Sequence, residues 1–119
     1  MIIVANWKAY VETQEKAKSL LALAKRLSKQ ARTRIVLAPP APYLGLLAKG
    51  NKTKVEFAAQ HLSQTSGGAQ TGEISAQALA GLNIPYVIVG HSERRARGET
   101  LEIIAEKMQH AVAHGVRPI

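Results

Sequence analysis

Tyr86-Val87-Ile88-Val89-Gly90-His91-Ser92-Glu93-Arg94-Arg95 decides how the rest of the chain is read. Four apolar residues in a row, rich in β-branched and aromatic side chains, predict a strand buried on both faces. Gly90 then lets the backbone turn sharply without a Cβ clash. Ser92 or Glu93 suits the start of a helix, where free N–H groups want an oxygen acceptor or a negative charge. One imidazole, His91, is therefore expected at the C-terminal end of a buried strand, facing the first turn of a helix. In parallel α/β proteins that is the end at which ligands bind.

A histidine in that position has two readings. The positive end of a helix disfavours the imidazolium, so one ring nitrogen accepts from the backbone and the other N–H is left to donate. A neutral imidazole that donates to a carbonyl oxygen is an electrophilic catalyst. The simpler reading is a histidine that does no more than cap a helix.

The 119 residues are enough for one ordinary domain, and 46% hydrophobic with 20% charged residues is a globular composition. There are no cysteines, hence no disulfide framework and no thiolate metal site. The segment Met1–Lys8 has only a short apolar run, without the features of a secretory signal, and no stretch approaches the length of a membrane span. A soluble cytoplasmic protein is expected. Sixteen Lys+Arg against eight Asp+Glu give a net charge of +8. That excess could steer an anionic metabolite or hold nucleic acid. The basic residues are dispersed along one helix face and loops, with one Trp, three Tyr and one Phe in all. No nucleic-acid-binding signature interrupts them, so no nucleic-acid partner is expected.

Ile2-Ile3-Val4-Ala5 reads as a short buried strand, with Asn6-Trp7-Lys8 at its C-terminal end. A lysine there is a compact positive charge suited to a phosphate or a developing oxyanion. An asparagine beside it can orient the lysine or hydrogen-bond a substrate oxygen. Thr13 can cap a helix running to about Ala31, with Ala17, Leu20, Leu21, Ala24 and Leu27 as its apolar stripe. Arg34–Ala38 is a second strand, stopped by Pro39-Pro40-Ala41-Pro42. Tyr43, Leu44, Leu46 and Leu47 suit a short helix, ended by Gly50-Asn51. Val55–Gln60 is a third strand. The loop His61–Glu73 is long and polar, and loops of that length are usually functional or disordered; His61 itself reads as structural or exposed. Ser75 begins a helix through Leu82 with Ala76, Leu79 and Ala80 inward. After the central strand a long helix is expected from about Thr100 to His114, with Leu101, Ile104, Ala105, Met108 and Val112 as its apolar positions, ended by Gly115. Val116–Ile119 looks like the opening of a fifth strand. Strands alternating with helices imply a parallel sheet with right-handed crossovers, an α/β fold. Nothing in the sequence calls for a metal or another cofactor.

The decapeptide 86–95 resembles the fourth strand and loop of triosephosphate isomerase, with the strand, Gly90, His91 and the Ser-Glu-Arg-Arg tail in order. Asn6-Trp7-Lys8 after an N-terminal strand resembles that family's first active-site loop. Gly67-Gly68-Ala69-Gln70-Thr71-Gly72-Glu73-Ile74-Ser75-Ala76 resembles its subunit-interface loop. The resemblance covers essentially all 119 residues. It implies the N-terminal half of a (β/α)8 TIM barrel as a single partial domain over residues 1–119, since such barrels take about 250 residues. It also implies an isomerase of glycolysis and gluconeogenesis that interconverts dihydroxyacetone phosphate and glyceraldehyde 3-phosphate. A neutral histidine electrophile and a glutamate base are already known for that family.

Carried over residue by residue, His91 matches the electrophile, and Asn6 and Lys8 match the substrate binders. Ser92 and Glu93 are expected to support the site, Glu93 beside Lys8. The loop 61–76 would make a homodimer, with Thr71 near the partner's Asn6 and Lys8 and Glu73 pairing with Arg94 across the interface. The catalytic glutamate, its lid and the glycine-rich phosphate loops belong to the family's later half and have no counterpart here. A truncated chain, inactive by itself, is therefore expected. The alternative is a half barrel without catalysis that self-associates as a structural or phosphate-binding protein.

Overall fold

Strand β1 (Ile2–Asn6) lies parallel to β2 (Arg34–Ala38), in register from Ile2 opposite Arg34 to Asn6 opposite Ala38. Parallel neighbours need a crossover, and helix α1 (Gln14–Gln30) supplies it. These relations come from a computed structural model that describes residues 1–30 and 32–119. The chain divides into two compact units, Met1–Gln60 and His61–Ile119, and each is described by itself.

In the first unit β2 also pairs in parallel with β3 (Glu56–Ala59), Val36 opposite Glu56 and Leu37 opposite Phe57. Val36-Leu37-Ala38 and Phe57-Ala58-Ala59 are buried residue after residue. Unbroken burial means that both faces of these strands are covered, as in a parallel sheet flanked by helices. Arg34 reinforces the pairing with a fork: its Nε and Nη2 donate to the two carboxylate oxygens of Glu56 at 2.9 and 2.8 Å. Helix α2 (Ala41–Ala48) starts straight after Pro39-Pro40, with Pro42 in its first turn, where the missing N–H costs nothing. Leu44 and Leu47 are its buried residues.

Thr13 caps α1 as expected, its Oγ1 accepting from the Lys16 N–H at 3.2 Å. The expected end at Ala31 lies outside the described residues. The stripe differs from the expected one at Leu20, which is only half-buried, and at Leu27. Ala17, Leu21, Ala24 and Ser28 are buried, whereas Leu27 is 47% exposed. The buried positions repeat at four, three and four residues, which places Leu27 about 100° away from Ser28 around the helix. The Ser28 hydroxyl is satisfied by donating to the Lys25 carbonyl at 2.9 Å.

The second unit holds α3 (Ala76–Gly81), β4 (Tyr86–Val87), α4 (Ser92–Arg95), α5 (Leu101–Ala113) and β5 (Arg117–Pro118). Ser75 caps α3 by accepting from the Ala78 N–H at 3.1 Å, and Thr100 caps α5 by accepting from Ile103 at 3.4 Å. Gly115, at φ 73°, ends α5. The regular part of β4 is shorter than the expected Tyr86–Val89, yet its bonding to β5 runs on. The Arg117 N–H donates to Pro85, the Ile119 N–H to Val87, and the Val89 N–H to Ile119, at 2.8–3.0 Å. This slanted parallel ladder uses the amides of residues 117 and 119, so Pro118 takes nothing from it. Arg117 lies over the Tyr86 ring, 5.3 Å from its centroid, from the position directly opposite in register.

Helix α5 buries a different face from the one its expected apolar positions suggest. Leu101 is 73% and Val112 65% exposed, and Met108 is also exposed, while Lys107 and Ala111 are buried. The inward line runs through Ile103 and Ile104 to Lys107 and Ala111, and an ion pair described below accounts for the lysine. Among the described residues no helix is long and apolar enough to cross a membrane.

Candidate active site

In the first unit the chain leaves β1 through a tight turn. The Trp7 N–H donates to the Ala38 carbonyl at 3.0 Å, and the Tyr10 N–H returns to Trp7 at 3.2 Å. Between them Lys8 has φ 50°, the left-handed region that a non-glycine residue occupies at a cost of about 1 kcal/mol or more. Two amide side chains hold it there. Asn6 Oδ1 accepts from the Lys8 N–H at 2.9 Å, and Gln60 Nε2 donates to the Lys8 carbonyl at 2.9 Å. Gln60 Nε2 also donates to the Ala38 carbonyl at 2.8 Å. Both backbone polar groups of this lysine are thus fixed by side chains from the ends of β1 and β3. Gln60 has no place among the sequence-predicted site residues, because its partners are backbone carbonyls, which leave no pattern in a sequence.

In the second unit Gly90, at φ 67°, makes the turn out of β4. A Cβ there would meet Ile104 Cδ1 at 3.1 Å, so backbone conformation and space both favour glycine. His91 follows as the N-cap of α4, and its Nδ1 accepts from the Glu93 N–H at 3.2 Å. The structure thus shows the capping histidine. An Nδ1 that accepts must be bare, so the ring proton is on Nε2, free to donate away from the helix. The Glu93 carboxylate lies 3.7 Å from Nδ1, and its side chain is half exposed. Ser92 is the exposed first residue of α4.

Thr71 sits exposed in a turn closed by the Glu73 N–H donating to the Gln70 carbonyl at 3.1 Å, with Gly72 at φ 87° in the position that needs it. Glu73 and Arg94 find partners within this chain. Glu73 Oε2 is 2.9 Å from His61 Nε2, and Arg94 Nε is 3.7 Å from Glu99 Oε1 without making a hydrogen bond. They belong to one charged line, Glu73–His61–Lys107–Glu99–Arg94. Lys107 Nζ bonds the Glu99 carboxylate and lies 3.3 Å from His61 Nδ1. Since an ammonium can only donate, His61 Nδ1 accepts and its Nε2–H faces Glu73. Burial lowers the His61 pKa; its hydrogen bond to Glu73 opposes that, and the charges of Lys107 and Arg94 add to the lowering. For Glu99, burial alone would raise the pKa, but the Lys107 hydrogen bond and the Lys107 and Arg94 charges outweigh it and hold the carboxyl below its ordinary range. The line borders an open cleft of about 390 Å³ to which Arg97 and Gln70 also contribute. His61 and Lys107 were not among the predicted site residues. A lysine on the apolar line of a helix was the available signal.

A family model described as triosephosphate isomerase matches residues 1–119. Three proteins bearing that name illustrate the similarity. The one from Corynebacterium glutamicum is 38% identical over 99% of this chain and 48% of its own length. The one from a Picosynechococcus species is 40% identical over 100% and 51%, and that of Delftia acidovorans 41% over 99% and 48%. The chain thus spans about half the length of the curated relatives it matches. With its parallel strands alternating with helices, it is the N-terminal half of a (β/α)8 barrel. It belongs to the triosephosphate isomerase family.

Proposed function

We propose that these residues, as one partial barrel domain over 1–119, supply the electrophilic and substrate-binding side of a triosephosphate isomerase that interconverts dihydroxyacetone phosphate and D-glyceraldehyde 3-phosphate. The observation that carries this reading is the His91 ring. Its Nδ1 is occupied by the Glu93 N–H, so its Nε2–H is directed outward as a donor. In the reaction a base removes the proton beside the carbonyl and an enediolate forms. A donor on the carbonyl oxygen stabilises the negative charge that develops there. His91 plays that part. The Lys8 ammonium adds positive charge for the phosphorylated substrate, Asn6 holds the Lys8 backbone and offers its amide, and Ser92 and Glu93 support the histidine.

No glutamate of this chain is assigned as the base. Glu99 is bound to Lys107 and Glu73 to His61. Glu56 is held by Arg34, and Glu93 lies two residues past His91, its N–H bound to that ring. The base belongs to a segment beyond these 119 residues. In the same reading the protein acts in glycolysis and gluconeogenesis in the cytoplasm. It works as a homodimer through residues 61–76, with Thr71, Glu73 and Arg94 at the interface, without nucleic acid or membrane.

Two measurements test this. The 119-residue chain, assayed on glyceraldehyde 3-phosphate beside His91→Gln, is expected to show no appreciable turnover. Turnover at ordinary enzyme levels that depends on His91 overturns the assignment of the base. Reading the gene past Ile119 is expected to find a glutamate-bearing loop and glycine-rich phosphate loops. A stop codon directly after Ile119 would instead favour the self-associating half barrel.

A further inference from the structure

We propose that Gln60 is a positioning residue for the Lys8 ammonium, setting it through the backbone of Lys8. The inference rests on the reading that Lys8 meets the substrate. Lys8 occupies the left-handed region with its N–H bound by Asn6 and its carbonyl by Gln60. A residue in that region persists only where its surroundings over-determine it. Asn6 alone fixes one end of the Lys8 backbone. With the carbonyl released, φ of Lys8 can relax out of the left-handed region, and the Cα–Cβ bond swings with that rotation.

The same Gln60 amide reaches Ala38, whose carbonyl also accepts from Trp7. One side-chain NH2 thereby ties the Lys8 turn to the end of β2. Both of its donors are used on backbone oxygens, so Gln60 has no N–H left for a substrate. It acts entirely through another residue. Glutamine suits the task because its two N–H groups diverge from one nitrogen, which a carboxylate or an aliphatic side chain of equal length cannot reproduce.

The test is titration of the isotopically labelled chain with glycerol 3-phosphate, followed at the Lys8 amide and ammonium signals. Wild type is compared with Gln60→Met, Gln60→Glu and Lys8→Met. Wild type is expected to bind saturably and Lys8→Met to lose that response. Gln60→Met and, at neutral pH, Gln60→Glu are expected to weaken binding about 3- to 10-fold, with chemical-shift changes, beyond residue 60 and its immediate neighbours, confined to residues 6–10 and 38. Lowering the pH protonates the introduced carboxylate and restores one donor. The affinity of Gln60→Glu relative to wild type should therefore recover in acid, while that of Gln60→Met stays low. A packing role would not give that recovery. Unchanged Lys8 signals and wild-type affinity in both Gln60 variants overturn the proposal. If wild type itself gives no response to the analogue, the substrate reading of Lys8 falls. The Gln60 claim is then decided by the Lys8 amide shift and its coupling constant, which must change in both variants.

Discussion

Lys107 and Glu99 form an ion pair inside the second unit, each side chain only 5% exposed. Two charges out of water repay their desolvation only while both are present. Lys107→Met alone, or Glu99→Leu alone, should therefore destabilise the chain by about 3–5 kcal/mol, whereas the double variant should recover most of that loss. Chemical denaturation of the four proteins measures it. Purely additive effects of the two substitutions would show that the charges do not interact.

His61 gives the same unit a dependence on pH. Its folded pKa is lowered, burial being the first cause. The unfolded chain therefore takes up the proton first as pH falls. The contribution of neutral His61 is complete above its ordinary value of about 6.5 and is lost as pH falls through the folded value. The depressed Glu99 carboxyl acts lower down, its contribution lost only as pH falls below the ordinary carboxylate range. Thermal melts from pH 8 to 5 should show wild type losing stability below about pH 6.5 relative to His61→Asn. Parallel curves for the two would contradict the arrangement.

Gly90→Ala should cost about 1–2 kcal/mol, since it puts a Cβ on a left-handed residue and against Ile104. Its second effect should be on the next residue. The Glu93 amide signal, which reports the bond to His91 Nδ1, should move or broaden. A stable variant with that signal unchanged would show that the glycine is not what aims the histidine.

Comparing Lys8→Gly with Lys8→Ala isolates backbone strain, because both lack the ammonium. Glycine should be the more stable of the two by about 1 kcal/mol, the cost of a Cβ at φ 50°. Equal stability would mean that the turn relaxes once the lysine side chain is removed.

The alternation of strands and helices was legible in the residues, and so were the cap at Thr13 and the helix starts at Ser75 and near Thr100, because each is a local signal. A hydroxyl before a periodic segment bonds an amide three residues on, whatever the rest of the fold does. The His91 turn was legible for the same reason. The buried faces were less so. Leu101, Met108 and Val112 keep helical spacing, yet the helix turns Lys107 inward, because Glu99 and His61 receive its ammonium there. Apolar spacing cannot choose between faces when the choice is made by partners outside the helix, Glu99 just before it and His61 46 residues away in sequence. Gln60 leaves no mark in the sequence because a glutamine whose NH2 bonds carbonyls beyond two other strands carries no periodicity of its own.

The Ala38 oxygen, receiving Trp7 from one side and Gln60 from the other, leaves no slack where three strands end. An inserted or deleted residue anywhere between Asn6 and Tyr10 would detach at least one of these bonds and carry Lys8 with it. Length variation between the first strand and the first helix should therefore be admitted only beyond Tyr10, in the few residues before Thr13. A graft of this turn onto another barrel would have to bring the asparagine and the glutamine along with the lysine, and find a second-strand carbonyl placed as that of residue 38.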